Sequence, residues 1–239
     1  MFNKKSFFGL LSLFVFSGLY SQEAKMTVLQ IIKKATETYV DQKYINYNTT
    51  YNLYLDYKAK KVYEQYFGIV LKKDNINYFK VKNTEFVVFK KYGVKINNDQ
   101  KAMIIGENKD DIQQSPISLL NYLEGFKYKF INPNADTYEC ELVPANKISQ
   151  IMIGKVILSI KKSDFSLNKQ TVYYIENMES KNNNGKIVQS IPRLEIIFSK
   201  RIKNDKQDNL LLRQESYFTL ASNKIVVSPR LSTYKLFKS

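Results

Sequence analysis

Hydrophobic positions recur along the chain with two different periods, and the first period is that of a helix. From Ala24 to Gln42, apolar residues return every three or four positions, which predicts an amphipathic helix that packs on another element. Thr27 stands where this helix needs its N-cap. We expect the helix to lie across the apolar face of a sheet formed by Tyr47 to Ile105, with Leu29 and Ile32 deepest in the contact.

After this helix the hydrophobic period changes to two. Apolar and polar residues alternate from Ile45 to Asp56, which is typical of a long strand with one buried face. Short turns separate five further predicted strands, over residues 62–72, 76–82, 84–90, 92–96 and 101–105. Parallel neighbours need crossovers of roughly a dozen residues or more, and the gaps here are too short for them. The six strands are therefore predicted to form an antiparallel meander.

The second half of the chain begins with another helix signal. Ser115 and Pro116 match the N-cap and first helical position of a short helix that ends at Gly125. Strands are then predicted over residues 126–131, 137–143, 155–161, 167–177, 193–200 and 225–227, with polar loops at 179–185 and 203–208. Neither an internal repeat nor a low-complexity linker divides the chain. Residues 22–239 are predicted to form a single, mainly β (α+β) domain.

Residues 1–21 have the pattern of a secretory signal peptide. Lys4 and Lys5 precede the apolar run Phe7 to Phe16, and smaller, more polar residues follow up to Ser21. A retained membrane anchor is the alternative, but the apolar run is shorter than the roughly 20 residues that a span needs. Cleavage is expected between Ser21 and Gln22. No cysteine is present there to carry a lipid, so the domain is expected to be free in the periplasm.

The residue types on which most enzymes depend are scarce in this chain. It contains no histidine and one cysteine, which excludes Ser-His-Asp and Cys-His arrangements and argues against a zinc site. Glu139 and Glu141 are candidates for a carboxylate pair, but they alternate with Tyr138, Cys140 and Leu142 on a predicted strand. The glutamates are therefore expected to face solvent and Cys140 to face the core. We predict no enzymatic activity, no metal and no cofactor.

The chain is strongly basic, with a formal net charge of +15. Basic proteins bind nucleic acid, anionic membranes or acidic partners, and export argues against the first of these. An anionic membrane surface or an acidic protein partner is expected. A charge that only keeps the protein soluble is the alternative.

Aromatic residues are the remaining candidates for a binding site. There are 18 tyrosines and 15 phenylalanines but no tryptophan, and many of the rings fall on predicted strands. A filled core explains most of them, because aromatic residues favour strands and interiors. The alternative is a sheet that curves around an apolar ligand cavity. The candidate cavity residues are Leu29, Ile32, Tyr47, Tyr51, Leu53, Leu55, Phe67, Ile69, Leu71 and Phe79.

The order of the first elements matches a known pattern. A helix precedes the long strand Tyr47–Leu55, a strand containing Gly68 leads into Lys72 and Lys73, and paired strands follow over Thr84–Ile96. Over residues 24–105 this order resembles the LolA/LolB superfamily of lipoprotein carriers. The chain departs from the family in lacking its usual Arg-Pro-Gly after the glycine strand and the tryptophan common in the next strands.

The resemblance implies both a fold and a function. The implied fold is a curved antiparallel sheet that forms an open half-barrel, covered by the N-terminal helix and a second short helix. The implied function is a periplasmic carrier or chaperone that holds the acyl chains of lipoproteins, or another lipid-like ligand, between sheet and helical lid. The alternative hypothesis is a non-catalytic envelope scaffold or protein-interaction module with a packed core and no ligand.

Overall fold

The computed structural model describes residues 26–108, 125–130, 134–145, 152–181, 185–202, 204–222 and 224–238. Two α-helices and sixteen strands occur within these ranges, besides two short 3-10 helices over Gln214–Ser216 and Pro229–Leu231: α1 (Val28–Asp41), β1 (Tyr44–Tyr54), β2 (Glu64–Lys73), β3 (Ile76–Val81), β4 (Thr84–Val88), β5 (Tyr92–Asn97), β6 (Ala102–Glu107), β7 (Phe126–Phe130), β8 (Thr137–Pro144), β9 (Ile153–Lys161), β10 (Leu167–Tyr174), β11 (Met178–Lys181), β12 (Ile187–Ser190), β13 (Arg193–Lys200), α2 (Asp205–Leu211), β14 (Phe218–Ala221), β15 (Lys224–Val227) and β16 (Lys235–Lys238). The candidate signal peptide and the helix predicted from Ser115 lie outside the described residues. Within the described ranges, no helix has the length and apolar content needed to cross a membrane.

Helix α1 begins with the N-cap that the sequence predicts. The Thr27 hydroxyl accepts a hydrogen bond from the Gln30 main-chain N–H at 3.3 Å, and the Gln30 side chain accepts one from the Thr27 N–H at 2.8 Å. This reciprocal pair forms a capping box, which satisfies two donors that the first turn would otherwise leave open. One side of the helix is buried, and it carries Val28, Ile31, Ile32, Ala35, Thr36 and Tyr39.

Twelve strands form one sheet, in the order β16-β6-β5-β4-β3-β2-β1-β13-β10-β9-β8-β7. Strands β1 to β6 form the predicted antiparallel meander. Strand β1 also pairs with β13 through Tyr47 and Lys200, so it joins the meander to the later strands. The C-terminal strand β16 adds a parallel pair at the β6 edge, which makes the sheet mixed. The sheet is not closed into a barrel, and the predicted fold class is confirmed.

The two faces of the sheet are covered over different halves. We call the face that contacts α1 the front face; the core between it and α1 is the α1 core. The α1 core contains Val28, Ile31, Ile32, Ala35, Tyr39, Ile45, Val70, Cys140, Leu142, Val156, Leu158, Ile160, Leu167, Val172 and Phe198. On the back face, the segment from α2 to the C-terminus covers β2–β6. This C-terminal core contains Leu71, Tyr78, Val87, Phe89, Val94, Ile96, Met103, Ile105, Leu212, Tyr217, Phe218 and Leu231.

The position predicted for α1 was partly wrong. The helix packs mainly against the second half of the sheet, through residues such as Leu142 and Leu158, because β13 places those strands beside β1. Ile32 is fully buried as predicted, but Leu29 is 41 % exposed. The buried side of the helix is centred on Ile31, Ile32 and Ala35, and Leu29 lies at its solvent margin.

The C-terminal region differs most from the sequence prediction. Residues 203–208 were predicted to be a charged loop, but α2 begins within them, with Asn204 as its N-cap. Its sequence has little apolar periodicity, and the buried Asp208 attaches it to the rest of the protein. The short strands β14 and β16 were also not predicted. Strands of four residues carry a weak alternation signal, and among β14, β15 and β16 only β15 was predicted.

Candidate functional site

The candidate cavity residues do not form one site, because they lie on both faces of the sheet. Tyr47 pairs with Val70, so odd-numbered residues of β1 share a face with even-numbered residues of β2. Tyr47, Tyr51, Leu53 and Phe79 therefore lie on the front face. Ile69, Leu71 and Phe67 lie on the back face, where Leu71 is part of the C-terminal core, Ile69 packs against it and Phe67 is 66 % exposed. Leu55 follows the end of β1 and is half-buried.

The space between α1 and the sheet is closed at the centre of the helix. Ile31, Ile32 and Ala35 have no exposed surface, and opposite them Cys140 and Leu158 are also fully buried. Protein interiors of this kind are close-packed, with few voids larger than a water molecule. The middle of α1 thus rests on a packed core.

A row of four apolar residues and one lysine crosses the front face beyond this core. Phe79 pairs with Phe86, Phe86 with Lys95, Lys95 with Ile104, and Ile104 with Phe237. These five residues lie side by side on β3, β4, β5, β6 and β16, and we call them the cross-strand row. Strands are spaced about 4.8 Å apart, so the row is roughly 19 Å long. Phe79 also packs against the α1 core, so the row continues from the part of the face that α1 covers.

A groove of about 230 Å³ runs along this row from Phe79 to Ile104, and Phe237 lies beyond its lining. Gly93 and Gly106 face each other on β5 and β6, and a Cβ added at Gly93 would have no heavy atom within 4 Å. The pair therefore leaves a trough between side chains, and Val88 lies next to Gly93 in the neighbouring strand. The groove is lined by Phe79, Phe86, Val87, Val88, Gly93, Val94, Lys95, Ile104, Gly106, Glu107 and Asn108.

Lys95 brings a positive charge to the groove. Its Nζ lies 5.4 Å from the centre of the Phe86 ring, and Phe86 stacks on Phe79 with 4.6 Å between ring centres. Glu107 also lines the groove, but it pairs with Tyr92, which packs against the C-terminal core. Strand alternation therefore directs the Glu107 side chain to the back face. Of these two residues, Lys95 directs its charge into the groove and Glu107 does not.

On β8, Cys140 is held by the α1 core and Glu141 by two lysines. Cys140 is fully buried in the α1 core as predicted, and burial raises the pKa of its thiol to about 12. The expectation that both glutamates face solvent was wrong for Glu141, which is buried and pairs with Lys129 at 2.9 Å and Lys155 at 3.4 Å. The hydrogen bond from Lys129 is the main cause that lowers the pKa of Glu141. In the described ranges, no cluster of three or more His, Cys, Asp or Glu side chains could hold a metal ion.

Sequence reasoning missed most of the groove. Phe79 was a candidate, but Val88, Lys95, Ile104 and the glycine pair were not. The strands that carry them were predicted, and alternation shows which residues of one strand share a face. Their union in one groove depends on the pairing registers between β3, β4, β5 and β6, and alternation within a single strand does not give those registers.

No family model matches this chain, and neither does any curated protein. Solved structures do resemble it. An uncharacterised conserved protein from Thermus thermophilus has 9 % identity and a TM-score of 0.46, with 88 % of this chain and 99 % of that chain covered. A LolA superfamily protein from Nitrosomonas europaea has 15 % identity and a TM-score of 0.34, with 80 % and 99 % covered.

A third similar structure is the MucA/MucB complex of Pseudomonas aeruginosa. It has 7 % identity and a TM-score of 0.40, and the match covers 82 % of this chain and 62 % of that chain. A member of the superfamily that the sequence resembles is therefore among the similar structures. At these identities and TM-scores, the likenesses assign no ligand, partner or activity to this chain.

Proposed function

We propose that this protein is a non-catalytic periplasmic carrier or chaperone that binds an acyl chain in the groove along the cross-strand row. The observation that carries the proposal is the row itself. Phe79 and Phe86 stack on one strand pair, and Ile104 and Phe237 are 39 % and 43 % exposed on another. Apolar side chains in line over such a distance suit a linear hydrophobic ligand. Each methylene group that leaves water there would contribute about 0.8 kcal/mol.

Because the centre of the α1 core is packed, we place the proposed binding site elsewhere than the sequence analysis did. The sequence hypothesis placed cargo between the sheet and α1, where Ile32 and Leu158 now have no exposed surface. The groove lies beside that core on the same face, with Phe79 shared between them. The carrier function is therefore proposed for the groove, with α1 as part of the supporting structure.

The proposed periplasmic location rests on the candidate signal peptide at residues 1–21. The proposed partners rest on the net charge of the protein. A net charge of +15 favours contact with an anionic membrane surface or an acidic protein. Such contact would bring the groove close to membrane lipids or acylated proteins. The proposed cargo is the acyl part of a lipoprotein or another lipid.

Two isoleucines with nearly equal exposure provide a matched test. Ile104 is 39 % exposed on the groove, and Ile197 is 37 % exposed on β13. Ile197 pairs with Thr50 and lies on the back face. The assay is displacement of a fluorescent acyl probe by a synthetic diacylated lipopeptide on the purified protein. Ile104→Glu should weaken probe binding at least tenfold, whereas Ile197→Glu should leave it unchanged. Absence of saturable binding by the unmodified protein would refute the carrier function.

A scaffold without a ligand is the second candidate function, and the closed centre of the α1 core favours it. Both cores contain large side chains with no exposed surface, as a structural module requires. Native mass spectrometry of the protein purified from its host envelope separates the two functions. A carrier should retain a lipid or an acylated peptide. A scaffold should retain a protein partner and no lipid.

A further inference from the structure

We propose that the groove selects a single-chain amphiphile with an anionic head group, and that the Lys95 ammonium binds this head group. The inference rests on the proposed function and specifies its ligand. Lys95 is the middle residue of the cross-strand row, between Phe86 and Ile104. A ligand there would meet apolar side chains along its tail and a cation at one defined position.

The size of the groove favours one acyl chain. Its volume of about 230 Å³ is below the roughly 300–1,000 Å³ of ordinary small-molecule pockets. An α-helix of a partner, about 10 Å wide with its side chains, would need a broader site. The trough between Gly93 and Gly106 is formed by the absence of two side chains, which suits a thin, flexible chain.

The chemistry of Lys95 favours an anion. An ammonium group has three hydrogen-bond donors, and the face of the Phe86 ring attracts its charge without accepting conventional hydrogen bonds. In the described part of the chain, Lys95, like most of the lysines there, has no carboxylate within ion-pair distance, so its ammonium is available to a ligand. A carboxylate or phosphate head group would supply this partner, and a neutral or cationic one would not.

Four ligands with the same dodecyl chain separate the contributions of tail and head. Laurate and dodecyl phosphate are anionic, dodecanol is neutral, and dodecyltrimethylammonium is cationic. Each ligand, below its micelle concentration, competes with the neutral dye N-phenyl-1-naphthylamine for the purified protein. We expect both anions to bind at least fivefold more tightly than dodecanol, and the cation most weakly. Raising the salt concentration should narrow this preference, because salt screens exposed charges.

Lys95→Met removes the charge and keeps an apolar side chain. We expect this variant to bind the anions about three- to fivefold more weakly, the upper end of the effect of an exposed ion pair, and to bind dodecanol unchanged. Lys34→Met is the matched control, because Lys34 also lies over an aromatic ring, 4.9 Å from the centre of Phe165, and does not line the groove. It should change neither affinity.

The outcomes are distinguishable from one another. If Lys95→Met weakens the binding of laurate more than that of dodecyl phosphate, or the reverse, the more affected ligand carries the preferred head group, and either result supports the inference. Equal binding of laurate and dodecanol, unaffected by Lys95→Met, overturns the inference and leaves the carrier function standing. Failure of all four ligands to displace the dye overturns the inference, and failure of the acyl probe as well overturns the proposed function.

Discussion

Lys72 on β2 donates hydrogen bonds to the end of α1, with its Nζ 2.7 Å from the main-chain oxygen of Tyr39 and 2.9 Å from that of Val40. The last carbonyls of a helix have no partners within the helix, and the last turn of α1 contains no basic residue of its own. The Tyr39 hydroxyl in turn accepts a hydrogen bond from the Leu167 main-chain N–H at 2.7 Å. The end of α1 is thus attached both to β2 and to the chain at the start of β10.

Removing the Lys72 ammonium should destabilise the protein. Lys72→Met leaves buried carbonyls at the end of α1 without donors, at a cost of about 1–3 kcal/mol in the free energy of unfolding. Urea denaturation followed by circular dichroism measures this. Lys73→Met is the control, because Lys73 is exposed and its hydrogen bond to Asn209 is at the surface. Equal stability losses in the two variants would contradict the proposed role of Lys72.

Asp208 should make part of the stability depend on pH. Burial opposes its charge, but hydrogen bonds from Arg201, the Asn204 main-chain N–H and Tyr44 outweigh burial and hold the pKa of this carboxyl below its usual range. Because the pKa is lower in the folded state, the unfolded chain takes up the proton first as the pH falls. The stabilisation is therefore complete above the ordinary pKa of about 3.9 and is lost below it.

The corresponding variant is Asp208→Asn. At pH 7 it should lose on the order of 3 kcal/mol in unfolding free energy, because the Arg201 side chain, which is only 12 % exposed, loses its charge partner. The difference from the unmodified protein should shrink below about pH 4. Glu215→Gln, at an exposed position close by, should show no such convergence. Denaturation curves at a series of pH values measure this difference, and a difference in stability that does not change with pH would contradict this account.

Ile32 and Leu29 test whether α1 rests on a filled core. Ile32→Ala should cost about 2–5 kcal/mol, because Ile32 has no exposed surface. Leu29→Ala should cost much less, since Leu29 is 41 % exposed on the same helix. Neither change should alter acyl-probe binding, because both residues lie outside the groove. A small stability loss at Ile32 together with weaker binding would instead indicate a lid over a cavity.

Gly68 and Gly93 should respond in opposite ways to replacement by alanine. A Cβ at Gly68 would collide with the Lys80 carbonyl oxygen and the Thr49 hydroxyl, so Gly68→Ala should destabilise by about 1–3 kcal/mol. Gly93→Ala meets no atom within 4 Å, and its stability should be unchanged or slightly higher. The added methyl would occupy the trough and weaken acyl binding. Thermal melts combined with the dye assay measure both effects, and unchanged dye binding by Gly93→Ala would place the ligand elsewhere.

The meander could be predicted from sequence because its connections are local. Strands β1 to β6 follow one another with short turns, and alternation marks the buried side of each. The faces of β1 and β2 could not be matched in the same way. Their register, Tyr47 opposite Val70, is set by the longer connection over residues 55–63, and it places Ile69 and Leu71 on the back face.

Long-range pairing limited the remaining predictions. The helix α2 was missed because side-chain contacts hold its polar Asp208 in place, and one of them is with Tyr44, which lies 164 residues away in the chain. The strand β16 was missed because its partner β6 lies far back in the chain. The same pairing brings Phe237 to the end of the cross-strand row, so its place there could not be predicted.

The position of β1 between β2 and β13 has a consequence for folding kinetics. This 11-residue strand, YINYNTTYNLY, contains no charge, proline or glycine, a composition that promotes intermolecular strand pairing when an edge is open. One edge of β1 can pair early, through the hairpin with β2. Its other edge stays unpaired until β13, which contains Lys200, reaches it. Such non-local pairing is slow. Aggregation during refolding should therefore begin at β1, and a lysine introduced at Thr50 should suppress it.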